Sequence, residues 1–126
     1  AEGTATGATI NDGGKQNVSG TSTGTKIETG GEQTVNSGGK DEKAVINGGT
    51  QNVNSRGTAT EATIKNGGKQ YVSGTSTGTR IEKGGVQTVN SGGKDEDAVI
   101  NGGTQDVLAE GTATGATIND GGKQNV

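Results

Sequence analysis

The 126-residue chain contains no proline, cysteine, histidine, methionine, tryptophan or phenylalanine, and Tyr71 is its one aromatic residue. With hardly anything larger than Ile or Val available, a globular core cannot be assembled. Without His or Cys there is no imidazole base, thiol nucleophile or soft metal ligand. The lack of Cys is compatible with any redox compartment. No apolar run approaches the roughly 20 residues of a membrane-spanning helix, and nothing resembles a signal segment. Eleven Lys or Arg against fourteen Asp or Glu leave a formal charge of −3, with the signs interspersed. Recognition of nucleic acid needs a basic stripe and stacking platforms, which these charges and one tyrosine do not supply.

At 23% hydrophobic residues and 27 glycines, composition alone would place the chain among disordered segments. The order of the residues argues otherwise. Gln16, Gln33, Gln51, Gln70, Gln87, Gln105 and Gln124 recur at spacings of 17, 18, 19, 17, 18 and 19 residues. Two residues after each comes Val18, Val35, Val53, Val72, Val89, Val107 or Val126. A second apolar column runs Ile10, Ile27, Ile46, Ile64, Ile81, Ile100 and Ile118. Three spacings sum to a 54-residue unit, and Gly3 to Arg56 matches Gly57 to Glu110 at all but twelve positions. Ala1 to Val18 is identical to Ala109 to Val126. Such a doubly periodic chain suits an open-ended array in which each unit touches only its neighbours.

Within a unit, Ala8 and Ile10 alternate with Thr9 and Asn11, and Gln16 and Val18 alternate with Lys15 and Asn17, which is the period of a strand. Asp12-Gly13-Gly14, Thr29-Gly30-Gly31, Asn47-Gly48-Gly49 and Asn66-Gly67-Gly68 supply tight corners between them, and Thr4-Ala5-Thr6 is a third extended piece. Antiparallel hairpins would bring equal residues together only after a reversal, whereas a coil stacks each column directly. The expected fold is therefore all-β: a right-handed parallel β-solenoid with three short sides per rung, rungs of 17 to 19 residues and a 54-residue super-repeat, forming one seven-rung segment over residues 1–126. At roughly 4.8 Å per rung the rod should be about 30 to 35 Å long. The glutamines are expected to form a buried amide ladder along its axis.

Outward positions vary. One column reads Thr9, Lys26, Val45, Thr63, Arg80, Val99 and Thr117, and its neighbour Asn11, Glu28, Asn47, Lys65, Glu82, Asn101 and Asn119. Lys26, Glu28, Lys65, Arg80 and Glu82 are thus a candidate association face, set against the plainer reading that they keep the rod soluble. Threonine triplets such as Thr21-Ser22-Thr23 resemble the arrays of ice-binding surfaces, but Lys40-Asp41-Glu42 and Lys94-Asp95-Glu96 interrupt them with charge. Those carboxylates are expected to be a solvated surface patch. They lie in a repeated element with no cleft for acid–base chemistry, and Gly-Gly-Lys-Asp-Glu-Asp does not match the calcium-binding Gly-Gly-x-Gly-x-Asp pattern. No catalytic residue, metal or cofactor is expected. Asn17-Val18-Ser19 is one isolated match to the acceptor pattern for Asn glycosylation.

Three stretches, GTATGATINDGGKQNV, GTKIETGGEQTVNSGG and AVINGGTQNVNSRG, share Gly-Gly-x-Gln-x-Val and each follows part of the longer recurring pattern hydrophobic-Asn-x-Gly-Gly-x-Gln-x-Val-x-Ser-Gly-Gly. In this the chain resembles the self-associating autotransporter adhesins, typified by antigen 43 and the AIDA-type adhesins, over essentially its whole length. The resemblance implies a β-helical passenger on the bacterial surface, exported through a separate barrel as part of a larger outer-membrane-anchored protein. It implies adhesion through lateral rod-to-rod self-association, with host-surface molecules as further partners and no nucleic-acid or membrane contact by this segment. The alternative it leaves open is a structural stalk or spacer that is the substrate of a glycosyltransferase acting on Ser or Thr. Because an enzyme must reach its acceptor, the outward hydroxyls Thr9, Ser19, Thr63 and Ser73 are the candidate glycosylation sites.

Overall fold

Where outward and inward side chains alternate between glycine-bearing corners, the backbone is extended for two to four residues at a time. The computed structural model describes residues 4–119 and 121–126. Thr58–Thr60, Thr63–Lys65 and Lys69–Val72 make one complete rung. Among the described residues the same three strands recur seven times, and each pairs in parallel with its equivalents in the adjoining rungs, giving three seven-stranded sheets. The fold is the expected right-handed parallel β-solenoid with three sides per rung.

Register is strict. In the second sheet Ile64 lies between Ile46 and Ile81, and in the third Gln70 lies between Gln51 and Gln87, with Val72 between Val53 and Val89. The first sheet turns a small column inward, running from Ser22 through Asp41 and Ala59 to Ser76 and Asp95, all of them buried. The interior is consequently a narrow triangular prism: aliphatic along the Ile column, against which Ala62 and Ala116 pack, and polar where Gln faces the first sheet.

Rungs differ in length, yet the strands stay in register because only the corners change. The passage from the third sheet to the first is two residues shorter after Val18 than after Val35 or Val53. The passage from the second sheet to the third loses one residue at Asn47-Gly48-Gly49. These two adjustments generate the cycle of 17, 18 and 19 seen in the Gln column. The Gly-Gly pairs have a divided role, shown by Gly84-Gly85. Gly84 has φ +84°, which L side chains rarely adopt, whereas a Cβ on Gly85 would sit 2.3 Å from the carbonyl oxygen of Ile64 in the rung below. The corner between the first and second sheets is less demanding. Gly7, Gly24, Gly78 and Gly115 share that corner position with Lys43, Glu61 and Asp97, and all seven have positive φ.

The Gln column forms a continuous axial ladder. Each amide donates from Nε2 to Oε1 of the preceding rung, from Gln33 to Gln16 (2.7 Å), Gln51 to Gln33 (2.7 Å), Gln70 to Gln51 (2.6 Å), Gln87 to Gln70 (2.7 Å), Gln105 to Gln87 (2.6 Å) and Gln124 to Gln105 (2.7 Å). Five of the seven side chains are fully buried, so an amide without its partner would have no water to turn to.

Two pairs of substitutions test inside against outside. Ile64→Asp places an unpaired charge in the aliphatic column and should unfold the middle of the rod, while Lys65→Asp should cost well under about 1 kcal/mol. Gln70→Leu strands an acceptor on Gln51 and a donor on Gln87 and should cost roughly 2–5 kcal/mol, against about 0.5 kcal/mol or less for Asn52→Leu on the outer face. Thermal melts followed by far-UV circular dichroism read all four. Equal stability within either pair would reverse the assignment of inner and outer residues.

Candidate functional surface and buried carboxylates

A parallel solenoid offers no cleft of its own; what it presents is three ribbed faces, each an outward reading of one sheet. On the first face two threonine columns lie side by side. Thr4, Thr21, Thr58, Thr75 and Thr112 share one with Lys40 and Lys94, and Thr6, Thr23, Thr60, Thr77 and Thr114 share the other with Glu42 and Glu96. Lys40, Glu42, Lys94 and Glu96 are exposed, so every third rung carries one positive and one negative group among hydroxyls.

The second face carries the candidate association residues. Lys26 and Arg80 are exposed on one column, and Glu28, Lys65 and Glu82 are half-buried on the next. The Glu28 carboxylate accepts a hydrogen bond from the Asn47 amide at 3.1 Å, and Glu82 one from Asn101 at 3.3 Å, so neighbouring rungs partly occupy both acids. A shallow groove beside them is lined by Thr63, Lys65, Asn66, Glu82, Lys83 and Asn101. Of the candidate acceptor hydroxyls, Thr9 and Thr63 belong to the Lys26 column, the first exposed and the second half-buried. Ser19 is exposed and Ser73 half-buried at the corner between the third and first sheets, within weak hydrogen-bonding reach of the Asn36 and Asn90 amides at 3.5 and 3.4 Å.

The structure corrects one expectation. Lys40-Asp41-Glu42 and Lys94-Asp95-Glu96 are not uniformly solvated patches, because strand alternation turns Asp41 and Asp95 into the interior, where they are 0% and 1% exposed. Each carboxylate clasps two rungs. Asp41 accepts from Gln33 Nε2 on Oδ1 at 3.0 Å and from Gln51 Nε2 on Oδ2 at 2.8 Å; Asp95 accepts from Gln87 at 2.9 Å and Gln105 at 2.8 Å in the same way. Loss of hydration pushes both carboxyls above the ordinary carboxylate range, and the amide hydrogen bonds, together with one each from Ser22 and Ser76, only partly pull them back. The signal was present in the sequence: both acids occupy the middle position of a three-residue strand, in line with Ala5, Ser22, Ala59 and Ser76.

The buried hydroxyls complete this inner strip. Ser22 hydrogen bonds to Thr25, and Ser76 to Thr79, each pair closing the corner between the first two sheets from within. Among the described residues no group of three or more Asp or Glu side chains is arranged to hold a metal ion.

Residues 41–85 match the family described as "Adhesin of bacterial autotransporter system, probable stalk". Six chains of known structure match the protein. One of them, the crystal structure of the TibC-catalyzed hyper-glycosylated fragment of TibA, is 34% identical, with a TM-score of 0.86 over 98% of this chain and 54% of that one. The chain therefore spans about half the length of that relative. No curated protein sequence matches it. The matched description is of a bacterial surface adhesin exported by the autotransporter route, and the part matched is its stalk. The chain is thus similar, over residues 41–85, to the stalk of the bacterial autotransporter adhesins and, over nearly its whole length, to the TibA fragment.

Proposed function

We propose that this stalk is a rigid spacer whose outward Ser and Thr columns are acceptors for a protein O-glycosyltransferase. The observation that carries the reading is the close structural likeness to a fragment described as hyper-glycosylated, joined to the regular outward hydroxyls of this chain. The solenoid suits that chemistry physically. Glycosylation needs a hydroxyl that an enzyme can reach, and a rung offers the same hydroxyl geometry repeatedly along one straight face. Thr9, Ser19, Thr63 and Ser73 are the acceptors proposed from the sequence, and the threonines flanking Ser22, Ala59 and Ser76 on the first face extend the set. Ser22, Thr25, Ser76 and Thr79 are buried and stand outside it.

Coexpression with a glycosyltransferase that modifies autotransporter stalks, followed by intact and peptide mass spectrometry, should show several sugar additions per chain, confined to outward hydroxyls. An unmodified chain would overturn the acceptor role. Sugar found only on the four buried hydroxyls would overturn the assignment of faces.

A second reading, lateral self-association through Lys26, Glu28, Lys65, Arg80 and Glu82, is supported by the recurrence of exposed Lys26 and Arg80 54 residues, or three rungs, apart. Three rungs correspond to about 14–15 Å along the rod. Exposed pairs of this kind contribute about 0.2–1 kcal/mol each, so only many copies on facing surfaces would hold cells together. Cells displaying the native rod should clump more than cells displaying a Lys26→Glu, Arg80→Glu variant, and the difference should fade as salt rises from about 20 to 500 mM. Equal clumping at every ionic strength would remove this face from consideration.

A further inference from the structure

We propose that Asp41 and Asp95 are an acid-responsive clasp, which tightens the stalk as its surroundings acidify. The groups facing each carboxylate define the device. From the adjacent strands of its own sheet Asp41 meets Ser22 and Ala59, and from across the interior Gln33 and Gln51. Asp95 meets Ser76, Ala113, Gln87 and Gln105. None of these is titratable or cationic. Lys40, Glu42, Lys94 and Glu96 belong to the same strands but lie exposed on the outer face, and Lys43 and Asp97 lie exposed at the following corner.

Among the described residues each buried negative charge thus has dipoles for company and no counter-ion, and the proton is the species that can neutralise it. Protonation takes a proton from solvent onto one carboxyl oxygen. That oxygen keeps a lone pair for the amide already donating to it, so the contacts with both rungs survive while the charge disappears. Glu42 beside Asp41 and Asp97 beside Asp95 add like charge that favours the same step.

The direction of the effect follows from linkage. The folded chain holds these two protons at a higher pH than the unfolded chain does. Stability therefore grows as pH falls through the folded-state titration and is complete below the ordinary carboxylate range of the unfolded chain. An aspartate held by a salt bridge would give the opposite slope. Serine already occupies the same column at Ser22 and Ser76, and alanine at Ala59, so the column can be built without the charge.

The test is thermal unfolding of the full chain between pH 8 and pH 4.5, for the native protein, the double variant Asp41→Ser, Asp95→Ser and the outward control Glu42→Gln, Glu96→Gln. The native midpoint should rise by about 5 °C or more toward acid. The serine variant should melt higher than the native chain at pH 8 and lose most of the rise, and the control should keep it. A flat or falling native profile, or a serine variant with the full rise, would overturn the proposal. Should the serine variant fail to fold, carboxyl-carbon nuclear magnetic resonance of the native chain decides: Asp41 and Asp95 must titrate above the exposed carboxyls, and midpoints in the ordinary range would overturn it.

Discussion

A rung of this rod can exist only against another rung, because the backbone groups that point along the axis find their partners one turn away. Lys26 N–H donates to Ala8 C=O, Val45 N–H to Thr25 C=O, Thr63 N–H to Ala44 C=O and Arg80 N–H to Ala62 C=O, and the series continues along the chain. Parallel pairing without reversal then obliges each side chain to stand on its equivalent in the rung below. Everything else in the molecule follows from that obligation: the unbroken Ile and Val columns, the corners that absorb extra residues, and the glycines where one rung's carbonyl presses against the next.

Stacking also explains how so small an interior can be so polar. A lone buried glutamine would be a liability, but one that stands on another has an acceptor below for its NH2 and a donor above for its carbonyl oxygen. The same holds for Ser22 with Thr25 and for the two aspartates with their flanking amides. Among the described residues no buried side-chain nitrogen or oxygen is left without a hydrogen bond. Specificity of this kind substitutes for the bulky side chains the chain lacks, because a slip of register by one residue would turn a strand's inward side chains outward, and a slip by two would set Gln against Val.

The columns were legible in the sequence because they combine strand alternation with a fixed chemistry at each rung. Ile64, Gln70 and Val72 could be assigned inward from spacing alone, and Lys26 and Arg80 outward because that column varies. Asp41 and Asp95 are hidden for a physical reason: between Lys and Glu an aspartate looks solvated, and only the strand alternation marks it as inward. The corner at Lys43, Glu61 and Asp97 was equally hidden, since these residues lack the glycine that usually marks a left-handed backbone. Nor does periodicity reveal which outward column an enzyme or another rod would touch, because solvent exposure is the same condition for both.

The glutamine ladder has a sense of direction. Every Nε2 points toward the preceding rung and every Oε1 toward the following one, so the amide dipoles add along the axis with their positive ends toward the N-terminal rungs. Turning over one amide in the middle would set donor against donor on one side and acceptor against acceptor on the other, so the orientation can change only for the whole row together. Asp41 and Asp95 remove even that freedom. An ionised carboxylate only accepts, and each therefore fixes the NH2 groups of two successive glutamines toward itself. Two side chains thus give a rod of nearly uniform cross-section an electrical head and tail.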